Sequence, residues 1–224
     1  MDTIVIVLII VIVLLVFFLY RASSSKSSSS TLYNLNNTNT AISNSDISSP
    51  ASAKFSYEGW IYVNTWSNTA TKTVYYAGTS TTATSSSNLI RLYLDTTTPT
   101  LYCKFNSTNS NMENPAISIT ANFPIQKWVY VIVSVDSQIV DCYIDGKLVK
   151  SQKLQYLPDT SGTYNINFGS FDAYLTGFKR NKDVINPQTA WSNYMSGNGY
   201  SSGSNYGMNI AFTKDNVTLS EVSY

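Results

Sequence analysis

A chain of 224 residues with 14 basic and 13 acidic side chains is close to neutral, and only 12% of its residues are charged. That balance excludes a nucleic-acid protein held to phosphates by clustered Lys and Arg. The lack of histidine excludes Ser-His-Asp and Cys-His catalysis and any His-containing zinc site, and two cysteines build neither a disulfide framework nor a four-thiolate metal centre.

Ile4–Leu19 reads IVIVLIIVIVLLVFFL, with no polar atom in any side chain. Extended by Thr3 and Tyr20 it makes a helix of about 27 Å, close to the ~30 Å of a bilayer core. Ile4, Val5, Leu14, Phe17, Phe18 and Leu19 supply the apolar surface, and Tyr20 and Arg21 suit the interface. A cleaved signal peptide needs a basic start, a shorter apolar core and a small-residue cleavage site. Here Asp2 precedes a long core and Arg21 follows it directly, so residues 1–20 are expected to be an uncleaved single-pass anchor. Arg21 and Lys26 follow the span while only Asp2 and the terminal amine precede it, which places the C-terminal bulk on the cytosolic side. There the sequons at Asn36, Asn106 and Asn216 would not meet the glycosylation machinery; a chain this rich in Asn, Ser and Thr also produces sequons by chance.

Residues 21–53 are more than one-third serine, with apolar residues too sparse for helix or strand periodicity. Such composition does not bury enough surface to offset the entropy of ordering. For residues 23–30 a passive tether is expected. For 31–53 the alternatives are a continued tether or an ordered path along the domain or a partner.

From residue 54 short alternating runs are broken by turn residues. Strands are expected at Phe55–Val63, Thr73–Gly78, Leu89–Leu94, Thr100–Phe105, Ala116–Ala121, Trp128–Val135, Gln138–Asp145, Lys147–Lys150, Tyr164–Phe168, Ala173–Arg180, Met208–Phe212 and Val217–Val222. Asp145-Gly146 between two of them is a type I′ hairpin signal, because both central positions need positive φ. One helix is expected, capped by Asn186, with Pro187 in its first turn, an apolar stripe of Ala190, Trp191, Tyr194 and Met195, and Gly197 at its end. It would close one end of the structure. Many short strands with little helix indicate an all-β fold: an antiparallel β-sandwich of the jelly-roll type over residues 54–224.

KWVYVIVSVDSQIVDCYIDGKLV, residues 127–149, resembles the core signature of the concanavalin A-like lectin/glucanase superfamily in its laminin-G-like branch. The signature residues are Trp60, Trp128, Asp136, Tyr143, Asp145 and Gly146. The resemblance implies a Trp anchor between two sheets, a short loop and a hairpin. Residues 54–63 resemble the family's opening strand, in which an aromatic and a Trp face the core, and residues 171–196 resemble its closing strand and helix. The extra C-terminal hairpin, the Asn/Ser/Thr-rich composition and the bare anchor are similar to laminin-G-like proteins encoded by large DNA viruses. That likeness implies a virion position between an internal membrane and the capsid.

Glucanase relatives use two or three carboxylates on one strand, about 5 Å apart for a retaining pair. Glu58, Glu113 and Glu221 each lack such a neighbour, and Asp145 belongs to the hairpin turn rather than to a catalyst. Phosphate loops, nucleophile elbows and Cys-x-x-Cys pairs are also missing, so no enzyme is expected. Asp95 and Asp136 are potential calcium ligands, but nothing resembles a ligand spacing, and neither metal nor cofactor is expected. Cys103 and Cys142 are expected as buried thiols; a disulfide requires their strands to be neighbours. A glycan site would use aromatics emerging on loops, for which Trp66, Tyr75, Tyr76, Tyr194 and Tyr200 are the candidates, against the competing role of core packing. A surface rich in Tyr, Asn, Ser and Thr also suits extensive protein contact. The expectation is therefore a non-enzymatic, membrane-anchored structural protein that links a bilayer to capsid or other shell proteins as a minor virion component. The alternative is a membrane-displayed, lectin-like glycan-binding module.

Overall fold

The computed structural model describes residues 31–85, 88–107 and 113–198, together with Val13 and the backbones of 209–214 and 217–223. The anchor residues Ile4, Val5, Leu14, Phe17, Phe18, Leu19, Tyr20 and Arg21 lie outside the described residues, as does Tyr200. Among the described residues no helix is long and apolar enough to cross a membrane.

The strands are β1 (Leu32–Asn34), β2 (Lys54–Val63), β3 (Lys72–Gly78), β4 (Asn88–Leu94), β5 (Leu101–Phe105), β6 (Ile117–Thr120), β7 (Trp128–Asp136), β8 (Ile139–Ile144), β9 (Lys147–Lys153), β10 (Asn165–Phe168) and β11 (Ala173–Asn181). Helix α1 (Pro187–Met195) follows, then β12 (Asn209–Lys214) and β13 (Val217–Ser223). A six-stranded sheet in the order β1-β11-β2-β7-β8-β9 faces a five-stranded sheet in the order β10-β3-β4-β5-β6, with antiparallel pairing in each. This is the expected all-β sandwich with one short helix. Strands β12 and β13 pair with each other and belong to a compact unit separate from Ser28–Tyr200.

Alternation builds the core. Phe55, Tyr57, Ile61 and Val63 of β2 meet Val129, Val131, Val133 and Val135 of β7, while Ile90, Leu92 and Leu94 of β4 and Leu101, Cys103 and Phe105 of β5 face them. All are at most 3% exposed, and each aliphatic or Phe side chain so buried contributes about 1.5–3 kcal/mol. The intervening residues of β7 are also apolar. Tyr130 and Ile132 form a second cluster with Tyr143, Ile185 and Ala190 on the outer side of the six-stranded sheet. Thus β7 is a near-continuous apolar run because both of its faces are covered.

The cover is α1. The Asn186 Oδ1 accepts from Thr189 N at 2.8 Å, and Pro187 opens the first turn where its missing N–H costs nothing. Ala190 is fully buried and Tyr194 stacks on Trp60 at 5.5 Å, whereas Trp191 and Met195 are 47% and 64% exposed. Ala190 and Tyr194, one turn apart, aim at the sheet, and Trp191 and Met195 share the neighbouring stripe. The helix therefore covers a sheet face instead of closing an end of the sandwich.

The same parity corrects the Trp anchor. Trp60 packs between Tyr130 (5.1 Å) and Tyr194 on the outer face, and Trp128 packs against Tyr62 (5.4 Å) there. Neither lies between the sheets. Phe55 does face the core. Tyr143 belongs to the outer cluster too, its hydroxyl donating to the Ile185 carbonyl at 3.2 Å. The hairpin forms as expected: Asp145 (φ 49°) and Gly146 (φ 74°) both take positive φ. Asp145 Oδ1 accepts from Tyr130 N at 3.0 Å, and a Cβ on Gly146 would stand 3.0 Å from Trp191 Cα. Asp136, at the end of β7, pairs with Lys54 at 3.0 Å.

Residues 31–53 follow an ordered path along the sandwich. Strand β1 adds to the edge of β11, Leu35 is fully buried, and Ile42 bridges to Ile166. Arg180 donates to the carbonyls of Ser48 and Ser49.

Candidate functional site

Two places concentrate polar chemistry. The first lies under α1. Glu58, on the outer side of β2, is 4% exposed. Its Oε2 accepts from the Tyr130 hydroxyl and from Asn193 Nδ2 at 2.9 Å, and its Oε1 from Asn181 Nδ2 at 3.2 Å. Burial and the neighbouring carboxylate push the Tyr130 hydroxyl well above the usual tyrosine range. Among the described residues Glu58 has no ion-pair partner. Three neutral donors on β7, β11 and α1 replace its hydration. Sealed beneath the helix, this carboxylate pins α1 to the sheet and offers no face to a ligand.

The second place is the outer face of the five-stranded sheet. Leu and Ile of β4 and β5 point inward, so Arg91, Tyr93, Tyr102 and Lys104 point outward. These four side chains are half-buried. Tyr93 and Tyr102 stack across the two strands with ring centroids 5.5 Å apart and planes at 20°. The Arg91 guanidinium lies 4.3 Å from the Tyr93 ring centroid. Arg91 Nε donates to Thr73 Oγ1 at 2.9 Å, and Nη2 to Thr73 Oγ1 at 2.7 Å and Thr71 Oγ1 at 2.9 Å. Burial lowers the Arg91 pKa, while Tyr93 opposes that shift. Burial raises the Tyr93 hydroxyl. Lys104 Nζ pairs with Glu113 at 2.9 Å and holds that carboxyl below the usual range.

Two adjoining clefts are lined by three of these residues, Arg91, Tyr93 and Lys104. A cleft of about 110 Å³ is lined by Asn88, Arg91, Lys104, Asn106 and Glu113 with the 83–85 turn. A wider, open one of about 460 Å³ is lined by Tyr93, Lys104, Glu113, Asn114, Ala116 and Gln155, among others. Asn88 Nδ2 donates to the carbonyls of Thr82 and Ala83 at 3.1 and 2.8 Å, holding the turn against β4. Asn106, the sequon asparagine, spends its amide on the Asn88 carbonyl and lines the cleft. The face thus offers an aromatic pair, two cations and the Glu113 carboxylate, with Asn88 and Asn114 buried behind it and their amide N–H groups spent on backbone carbonyls.

The loop aromatics expected at such a site are placed elsewhere. Tyr75 and Tyr76 do not emerge on loops: both lie in β3, 3% and 5% exposed. Tyr75 packs on Tyr57 and Phe178, and Tyr76 donates to the Thr81 carbonyl at 2.6 Å. Trp66 lids the buried Lys72, whose ammonium lies 4.0 Å from the ring and donates to three carbonyls. Tyr194 is packed between Trp60 and Trp191. Arg91, Tyr93, Tyr102 and Lys104 were open to detection, since LIRLYL and LYCKF alternate apolar with polar or aromatic residues.

Cys103 and Cys142 are free and buried, on β5 and β8 of opposite sheets, not on neighbouring strands. Burial pushes Cys142 up to about 12 and Cys103 well above its ordinary value. Among the described residues no group of acidic, Cys or His side chains is arranged to hold a metal ion.

A laminin-G-type family model of the concanavalin A-like lectin/glucanases superfamily matches residues 35–179. No curated protein sequence matches the chain. Among solved structures, one similar fold is that of botulinum neurotoxin type C, whose way into cells depends upon interaction with two ganglioside molecules. It is 18% identical with a TM-score of 0.51, over 64% of this chain and 36% of that one. The binding domain of botulinum neurotoxin DC, solved with rat synaptotagmin II, is 18% identical with a TM-score of 0.52, over 66% and 37%. The serotype G binding domain is 16% identical with a TM-score of 0.51, over 76% and 47%. The chain spans between one-third and one-half of the length of these toxin structures, and at such identities the likeness is one of fold.

Proposed function

The chain belongs to the concanavalin A-like lectin/glucanases superfamily, and from that premise we propose that it is a membrane-displayed, non-catalytic recognition module. Its ligand is a saccharide, bound on the outer face of the five-stranded sheet. One observation carries this reading. On the six-stranded sheet α1 seals the Trp60, Tyr130 and Tyr143 part of the outer face, whereas on the five-stranded sheet Arg91 and Tyr93 each line one of two polar clefts that share Lys104 and Glu113, with Tyr102 stacked beside Tyr93. Sugars present apolar C–H faces and hydroxyl edges; Tyr102, whose partner Tyr93 is already covered by the Arg91 guanidinium, suits the former, and Arg91, Lys104 and Asn106 along the smaller cleft suit the latter. Botulinum neurotoxin type C, which depends on two ganglioside molecules for cell entry, contains a similar fold over 36% of its chain.

Catalysis is not part of the proposal. Glycoside hydrolysis uses a pair of carboxyl groups in most families. Among the described residues lining the clefts, Glu113 is the one carboxylate, and Lys104 neutralises it. The shell-linking role expected from the sequence rests on the polar, low-charge composition, the anchor, the C-terminal hairpin and the likeness to virus-encoded laminin-G-like proteins, whereas the family match and the similar folds favour the lectin-like alternative. The membrane attachment is assigned to residues 4–19. Saccharide recognition requires the domain on the side where glycans are displayed, opposite to the side expected from Arg21 and Lys26.

The test is a glycan array probed with the detergent-solubilised full chain and with a Tyr93→Ala/Tyr102→Ala double variant. Saturable binding to a saccharide class, weakened at least about tenfold in a folded double variant, is the expected result. Wild-type protein that binds no saccharide overturns the proposal.

A further inference from the structure

We infer that Arg91 reads an anionic group, so that the preferred ligand of this face is an acidic saccharide bearing a carboxylate or sulfate. The inference rests on the saccharide reading above and names its ligand class.

Charge placement is the first argument. Arg91 and Lys104 are direct cross-strand partners on β4 and β5. Like charges directly opposite one another destabilise a sheet. Glu113 compensates Lys104 and leaves Arg91 without a counter-charge among the described residues lining the clefts. Its acceptors, Thr71 and Thr73, are neutral hydroxyls.

Orientation is the second. Three hydrogen bonds through Nε and Nη2, with Tyr93 beneath the guanidinium plane, fix the side chain before any ligand arrives. Nη1 has no hydrogen-bond partner among the described residues, and the side chain lines the smaller cleft. A half-buried cation held by neutral groups gains from an anion: the new hydrogen bond is charge-assisted, and the geometry is already set. Lys104 lines the same cleft as a second cation, with its charge already paired to Glu113, and can donate to a hydroxyl beside the acidic group.

The experiment compares matched saccharides that differ only in the acid: sialylated against desialylated, glucuronate against glucose, sulfated against unsulfated. Wild-type full chain, Arg91→Gln and Arg91→Lys are titrated against each pair. The expected result is an acid-to-neutral affinity ratio of about ten or more in wild type, collapsing towards one in Arg91→Gln and partly retained in Arg91→Lys. Which pair shows the larger ratio separates carboxylate from sulfate. Arg91 also ties β4 to residues 71–73, so the wild-type ratio is measured in addition from about 0.05 to 0.5 M salt, across which it must fall if charge carries it. Equal affinity for acidic and neutral members, or a ratio unmoved by Arg91→Gln, overturns the inference while leaving saccharide binding standing. No binding to either member removes both.

Discussion

Tyr93 and Tyr102 stack across β4 and β5 with their ring planes 20° apart, on a sheet face that α1 does not cover. Aromatic pairs of this kind contribute about 0.5–1.5 kcal/mol beyond the area they bury. Tyr102→Ala is therefore expected to lower stability by about 1 kcal/mol while weakening saccharide binding at least about tenfold. Urea unfolding and titration of the same sample separate the two effects. A variant that loses stability yet binds like wild type would move the site away from this stack.

Glu58 ties three elements together through Tyr130, Asn181 and Asn193. Removing the acceptor leaves buried donors unsatisfied, each at a cost of about 1–3 kcal/mol. Glu58→Ala is expected to destabilise by about 3 kcal/mol or more, and Glu58→Gln, which keeps one oxygen acceptor, by distinctly less. Midpoints of urea denaturation check the order. Equal stability of the alanine variant and wild type would deny Glu58 its role in seating α1.

Buried acids whose folded pKa is raised favour the folded state only while they stay neutral. Cys142 and Tyr57 are both raised to about 12, against unfolded values of about 8.5 and 10. The sign is fixed: below pH 8.5 their contribution is complete, and between there and pH 12 stability falls as the unfolded chain ionises first. The native protein at pH 8 is expected to leave both thiols unreactive to a disulfide reagent and to release two thiols in denaturant. Rapid modification of the folded protein would contradict the burial of Cys103 and Cys142.

Asn36 is exposed and begins the sequon Asn36-Asn37-Thr38. Display on the glycan-bearing side predicts its glycosylation in eukaryotic cells, read as a mass shift lost in Asn36→Gln. Asn106 is a poor reporter because its amide is already bound to the Asn88 carbonyl and lines a cleft. An unmodified Asn36 in a membrane-inserted chain would instead support the cytosolic orientation implied by Arg21 and Lys26.

Local grammar was readable where chemistry repeats at short range. Alternation marked the strands, Asp145-Gly146 the hairpin, and Asn186-Pro187 the start of α1. What short-range pattern does not contain is which face of a two-sided apolar strand meets which layer. Trp60 and Trp128 read equally well on either side of β2 and β7; only the docking of α1 on Tyr130 and Ile132 settles the parity. For residues 31–53 the composition leaves a tether and an ordered path both open; Leu35, Ile42 and Ile47 each meet the sandwich core, whose recesses form only after folding. Trp66 does sit on a loop, but Lys72, at the start of the next strand, occupies its ring. Tyr93 and Tyr102 were visible as outward positions of alternating strands; their pairing needed the β4–β5 register.

Hydrogen exchange of the full chain with and without a saturating saccharide tests the central claim most directly. Slowed exchange confined to residues 83–94, 101–106 and 113–116, absent from the Tyr93→Ala/Tyr102→Ala variant, is the predicted result. Protection over α1 and β7–β9 instead, with the outer face of the five-stranded sheet unchanged, would contradict it.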